Sequence, residues 1–423
     1  MANDNTAMWK ELGIDLPKHD MLLNALGPIF QDVYLSQKDR PAGMGFYDFV
    51  VGDIHGIRVK ELKEHAFNGG KVVATYCVFV PEELVWAAGG IPVGLCAGTQ
   101  FSIPAAEAVL PQNTCALIKS SFGFKLGRIC PYVQASHLIV GETTCDGKKK
   151  MFEILNQYQP VHVMDVPNKK TASGRELWLK EVYAFKDVIE KLTGNKITAA
   201  KLGEAIELVN KRRLALQRLF DLRKARPVPI SGKDALLAVQ VSFYDDAKRD
   251  TQMLNTLCDE LDKRVALKQG IAPAKAPRIL ISGSPMAIPN WKLHHIIESL
   301  GAVVVCEESC TGTRFFSDLV KPADSLDDQI KAIADRYMNI HCACFTPNDE
   351  RLDDIVRLAK EYQADGVIHY NLLFCHTYAN EAVRVEKRLK EEKIPLLRVE
   401  TDYSDDSGQL RTRIEAFLEM IKG

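Results

Sequence analysis

The chain has 423 residues, enough for two or three domains and for a full hydrophobic core without covalent staples. Its 54 basic and 55 acidic residues give a formal net charge of -1, which argues against charge-driven nucleic-acid binding. Charged residues at 26% and apolar residues at 46% exclude a disordered chain. No run reaches the about 18 apolar residues of a membrane span. The start, Met1-Ala2-Asn3-Asp4, has neither a basic n-region nor an apolar stretch, so a cytoplasmic protein is expected.

Residues 1–60 read as a helical lead-in, with Leu12, Leu16, Leu22, Leu23 and Leu26 as apolar points and a loop marked by Pro41, Gly43 and Gly45. From 61 to 170 the pattern turns to strand then helix. Strands are expected at Lys71–Tyr76, Ile91–Leu95, His137–Val140 and Val161–Val166. Pro81-Glu82-Glu83 opens a helix that Gly89-Gly90 stops. Residues 171–276 form a charged helical connector, with helices expected at Arg175–Leu192, Ala199–Arg223 and an interrupted Asp234–Lys268. It ends in an Ala/Pro linker at 272–277. From 277 to 423 the alternation returns. Strands are expected at Arg278–Ser282, Val303–Cys306, Val367–Phe374 and Leu396–Glu400. Helices are expected at Trp291–Leu300, Leu326–Met338, Arg351–Tyr362, Ala379–Glu392 and Leu410–Ile421. Such alternation predicts an α/β protein with two Rossmann-like domains, parallel sheets and right-handed crossovers.

These Rossmann-like domains lack the usual nucleotide signals. There is no Gly-x-x-x-x-Gly-Lys-Ser/Thr run and no Gly-x-Gly-x-x-Gly after a strand. Any ATP or dinucleotide requirement is then met by another protein. His-Glu-x-x-His and Gly-x-Ser-x-Gly are absent as well.

Eleven cysteines need an account, because a reducing compartment does not favour a disulfide framework. Cys77 and Cys375 each follow a strand and precede a helix, and Cys145 opens a helix start at Asp146-Gly147-Lys148. The carboxyl ends of strands face the ligand crevice of open α/β sheets, and helix N-termini there favour the thiolate. No Cys-x-x-Cys pair occurs, which disfavours structural zinc. Single cysteines at strand ends of two domains suit an iron–sulfur cluster between them, since each iron takes one outside thiolate. Cys258 and Cys306 read as small core residues.

Several segments carry a recognisable pattern. Thr75-Tyr76-Cys77-Val78-Phe79-Val80-Pro81-Glu82-Glu83 and Ala87-Ala88-Gly89-Gly90-Ile91-Pro92 are two of them. Leu110-Pro111-Gln112-Asn113-Thr114-Cys115 and Glu400-Thr401-Asp402-Tyr403 are two more. Together they resemble the 2-hydroxyacyl-CoA dehydratase and benzoyl-CoA reductase family. Cys130-Pro131-Tyr132, Gly141-Glu142-Thr143-Thr144-Cys145-Asp146-Gly147 and His341-Cys342-Ala343-Cys344 are similar to its double-cubane cluster proteins.

The resemblance implies a low-potential reductase carrying an [8Fe–9S] double cubane. It also implies a homodimer, a small-molecule substrate and electrons from an iron–sulfur ATPase activator. Single-cluster relatives hold one [4Fe–4S] cluster on residues matching Cys77, Cys115 and Cys375. Two cubanes joined by a bridging sulfide need six thiolates, so Cys96, Cys130 and Cys344 complete the expected set, as the second cubane's ligands. Cys145, Cys310 and Cys342 stand in reserve. His376 and Glu142 are candidate proton suppliers. A [4Fe–4S] subunit of a dehydratase or benzoyl-CoA reductase, and a zinc or electron-carrier scaffold, are the alternatives. Lys148-Lys149-Lys150 reads as the solvated start of a helix.

Overall fold

A computed structural model describes residues 5–95, 97–404 and 407–422. Two four-stranded parallel sheets organise it. The first comprises β1 (Val72–Thr75), β2 (Ile91–Gly94), β3 (Leu138–Glu142) and β4 (Val161–Met164). The second comprises β5 (Arg278–Gly283), β6 (Val303–Glu308), β7 (Gly366–Leu372) and β8 (Leu396–Thr401). Their strand orders, β2-β1-β3-β4 and β6-β5-β7-β8, are the same topology used twice. In each, the chain leaves the first strand for one side and returns to pair on its other side. This creates a switch point at the carboxyl ends of β1/β3 and of β5/β7, where an α/β sheet opens a crevice.

The strands form where β-branched residues concentrate. All residues of β5, β6 and β7 are buried, as parallel sheets covered on both faces require. Apart from Arg278 at the start of β5, their polar members Ser282, Glu307, Glu308, His369 and Asn371 fall from the middle of the strand onward, toward the crevice. The lead-in is helical at Thr6–Glu11, Leu16–Phe30, Met44–Gly52 and Ile57–Phe67. Gly45, expected in a loop, lies inside the third of these; the chain before it is fixed by the Glu260 carboxylate, which accepts from Ala42 N and Gly43 N at 2.7 Å each.

The connector contains helices Ala172–Thr193, Ala199–Leu222, Gly232–Val241 and Ala247–Ala266. Thr171, Thr198 and Ser231 cap the first three. The interruption expected within 234–268 falls at 242–246, where the Asp246 carboxylate accepts from Lys248 N and Arg249 N and starts a new helix. Every residue of Gly232–Val241 is buried, so this helix is a core element, packed against β6 of the second sheet. Gly94 N donates to Phe243 O at 2.6 Å, and Gln240 Nε2 donates to Met286 O at 2.6 Å. Gly98 makes a direct junction between the lobes. Its N–H donates to Ile288 O at 3.0 Å, and a Cβ there would stand 1.9 Å from Ala287 O, so only glycine fits.

One buried acid predicts a pH effect. Burial pushes the Asp250 carboxyl up to about 7 from its ordinary value of 3.8. The fold therefore binds this proton more tightly than the unfolded chain. The contribution is complete below the unfolded pKa and is lost as pH rises through about 7, at about 1.4 kcal/mol per pH unit between the two values. Asp250→Asn is expected to be more stable than the parent at pH 8 and to lose that advantage at pH 4. Thermal unfolding at the two pH values checks this; equal differences at both would contradict it.

Candidate functional site

A cavity of about 1110 Å³ opens where the strand ends of the two sheets meet. Among the described residues seven thiols line it: Cys77, Cys115, Cys145, Cys310, Cys342, Cys344 and Cys375. Local structure explains each position. Cys77 follows β1, Cys145 follows β3, Cys310 follows β6 and Cys375 follows β7. Cys115, Cys145 and Cys375 each stand immediately before the first residue of a helix, Ala116–Leu126, Asp146–Leu155 and His376–Glu391 respectively. Phe374 takes a left-handed backbone, φ +66°, which turns the chain out of β7 so that Cys375 faces the cavity. Cys342 and Cys344 lie in the turn after helix Leu326–Met338.

The thiols fall into two neighbouring groups. Cys115 and Cys375 lie side by side, and Cys145 lies within electrostatic reach of both. Cys342 and Cys344 form a second such pair, with Cys77 and Cys310 beside them. Cys145 also senses Cys342, so the groups adjoin. In each pair the neighbouring thiol lowers one sulfur and raises the other. The S–H of Cys375 pulls Cys115 below its ordinary value, and the S–H of Cys344 brings Cys342 down to about 6. Burial pushes Cys77 up to about 11, against the pull of the Lys148 ammonium.

Positive ends surround these sulfurs. Lys148 N donates to Cys145 Sγ at 3.4 Å. Arg314 Nη1 donates to Cys310 Sγ at 3.6 Å, and the Tyr378 hydroxyl lies 3.8 Å from Cys342 Sγ. Arg314 is fixed from behind by Glu308, whose other oxygen binds Arg351 Nη2 at 2.9 Å and Ser282 Oγ at 2.7 Å.

Of the six ligands expected from sequence, Cys77, Cys115, Cys344 and Cys375 are brought together here, joined by all three reserves. Cys130 does not line the cavity. It is buried at the foot of helix Pro131–Ala135, and burial raises it to about 11. The proline at the first helical position and the anchoring of Tyr132 OH to Ile54 O at 2.8 Å fix it there. Cys96 lies outside the described residues. Cys258 and Cys306 are fully buried in the core, as expected.

His376 lies on the cavity wall and is exposed. Glu142 does not line the cavity. It is fully buried at the end of β3, where it accepts from Thr144 Oγ1 at 3.1 Å and pairs with the Lys148 ammonium. Lys148, read on sequence as part of a solvated helix face, is the member of this pair that reaches the wall; its side chain is only 14% exposed.

Among the described residues, no three His, Cys, Asp or Glu side chains converge as they would on one metal ion. A cubane does not require this, because each of its irons takes its own thiolate and the ligands ring the cluster. The seven thiols that line this cavity among the described residues, backed by N–H donors and two cations, fit such a group.

This fold and site define a two-lobed α/β protein with a thiol-lined crevice. Residues 77–421 match the family described as 2-hydroxyglutaryl-CoA dehydratase, D-component, and the chain belongs to that family. YjiM of Escherichia coli (strain K12) is 40% identical over 370 residues, covering 86% of this chain and 94% of that protein. The (R)-phenyllactyl-CoA dehydratase beta subunit of Clostridium sporogenes is 27% identical over 367 residues, covering 85% and 94%. One of the benzoyl-CoA reductase subunits of Thauera aromatica is 24% identical over 364 residues, covering 83% and 91%. The chain is thus an enzyme component of the dehydratase and reductase type. Among the described residues, no helix is long and apolar enough to cross a membrane.

Proposed function

We propose that this protein is a low-potential iron–sulfur reductase holding a double-cubane [8Fe–9S] cluster in the crevice. In this reading it works as a cytoplasmic homodimer and receives electrons from an ATP-hydrolysing iron–sulfur activator. The observation that carries the reading is the division of seven thiols into two adjoining groups around one cavity. Six thiolates are needed. Cys77, Cys115, Cys344 and Cys375 supply four; Cys96 stays in the set expected from sequence, and Cys145, Cys310 and Cys342 are nearer candidates for the rest than Cys130. The two groups also suggest a different division from that expected on sequence, with Cys77 beside Cys344 rather than beside Cys115.

When bound, such a cluster supplies electrons at very negative potential to a small unsaturated substrate. The chain's own residues do the rest. Helix starts, Arg314 and Tyr378 direct N–H and O–H groups at the sulfurs, which disperses negative charge. Val78, Leu117, Ile118, Met151 and Leu372 on the wall exclude water. His376, exposed at the edge, is placed to pass a proton between solvent and the cavity. The absence of a phosphate loop in the sequence agrees with ATP hydrolysis on a partner.

Iron and sulfide quantitation after anaerobic purification tests this. The expected content is about eight irons per chain, whereas about four would support the single [4Fe–4S] subunit instead. A colourless protein, or one holding zinc, would overturn both.

A further inference from the structure

We propose that Lys148, held by Glu142, is the cation that compensates negative charge at the Cys77 and Cys310 side of the cavity. The proposal rests on the iron–sulfur reading above. The two residues lie on consecutive elements, Glu142 ending β3 and Lys148 in the first turn of the next helix. Glu142 is fully buried, and its Oε2 has no hydrogen-bond partner among the described residues. Its only cationic partner among them is Lys148, and that is also the only carboxylate partner of Lys148. The lysine stem runs beside Phe152, with Nζ 5.9 Å from the ring centroid, so the ammonium is held at the wall. The two following lysines differ. Lys149 and Lys150 are exposed and pair with Asp146 and Glu153 at the surface.

Lys148 lines the same cavity as Cys77 and Cys310, which belong to one thiol group although they come from different lobes. Arg314 reaches Cys310 from the other side, but its N–H groups are also engaged by Glu308, Gly283 O, Glu308 O and Tyr378. The Glu142–Lys148 pair thus acts as a fixed dipole with its positive end toward the sulfurs and its negative end behind. In a poorly solvated site such a dipole favours the more reduced, more negative state of whatever the sulfurs hold.

Removing the two ends has opposite consequences, which separates this role from a merely structural one. In the iron-loaded protein, Lys148→Met is expected to shift a midpoint potential to more negative values. Glu142→Gln keeps the shape, removes the counter-charge and is expected to shift it to more positive values. Lys148→Arg keeps it near the parent value. A redox titration followed by electron paramagnetic resonance reads all three, with iron content measured on each sample. Opposed shifts support the proposal; shifts of one sign, or none, overturn it while leaving the iron–sulfur reading intact. Should Lys148→Met fail to retain iron, the sign of the Glu142→Gln shift decides alone, and a negative or absent shift overturns the proposal. A parent protein without iron would instead remove the reading on which it rests.

Discussion

Glu308→Gln is expected to destabilise the protein by about 3–5 kcal/mol, the range for removing one partner of a buried ion network. Glu308 is fully buried, and its carboxylate is shared by Arg314 Nε at 2.7 Å and Arg351 Nη2 at 2.9 Å. Burial raises its carboxyl, but Arg314 and Arg351 more than offset that and hold it down to about 2. Its contribution is therefore complete at neutral pH and fades only as pH falls from the ordinary carboxylate range through about 2. The glutamine keeps the size of the side chain but takes the carboxylate away from the buried Arg314 guanidinium and leaves Arg351 with Glu381. Because Arg314 donates to Cys310, the same change loosens one wall of the cavity. Urea unfolding of the metal-free protein at pH 7 measures the effect. A loss below about 1 kcal/mol would show that the network contributes little.

Replacing cavity cysteines is expected to have the largest effect on metal content. Cys344→Ala, and the double change Cys115→Ala with Cys375→Ala, each remove sulfurs from one of the two thiol groups, and iron and visible colour should fall sharply. Cys258→Ala lies in the core and should keep its iron while losing some stability through the cavity it creates. Cys130→Ala should keep its iron as well, since that sulfur does not face the cavity. Iron quantitation across the series checks the assignment. Unchanged iron and colour in Cys344→Ala, or loss of the cluster in Cys130→Ala, would contradict it.

The strands were legible because parallel sheets buried on both faces demand continuous β-branched runs, as in Val303–Val305 and Val367–Ile368. Helix Leu326–Met338 was legible to the residue, since Ser325 caps it and acids fill its first turn. The short helices Ile103–Glu107 and Pro131–Ala135 carry too few turns for any periodicity to register. The rule that strand ends face the crevice singled out Cys77, Cys145 and Cys375. Applied evenly, it would also have raised Cys310, which follows β6, above Cys130. Lys148 was not legible. Three consecutive lysines look alike in sequence, and only the burial of Glu142 selects the first of them.

The most direct test of the central claim is an anaerobic crystal structure of the metal-replete protein with anomalous scattering recorded at the iron edge. The account predicts about eight iron sites inside the crevice, ringed by thiolates from both sheets. It also predicts that the sulfurs of Cys115 and Cys375 lie together on one side and those of Cys77 and Cys344 on the other. Iron bound elsewhere, or these sulfurs resolved with no metal between them, would contradict it.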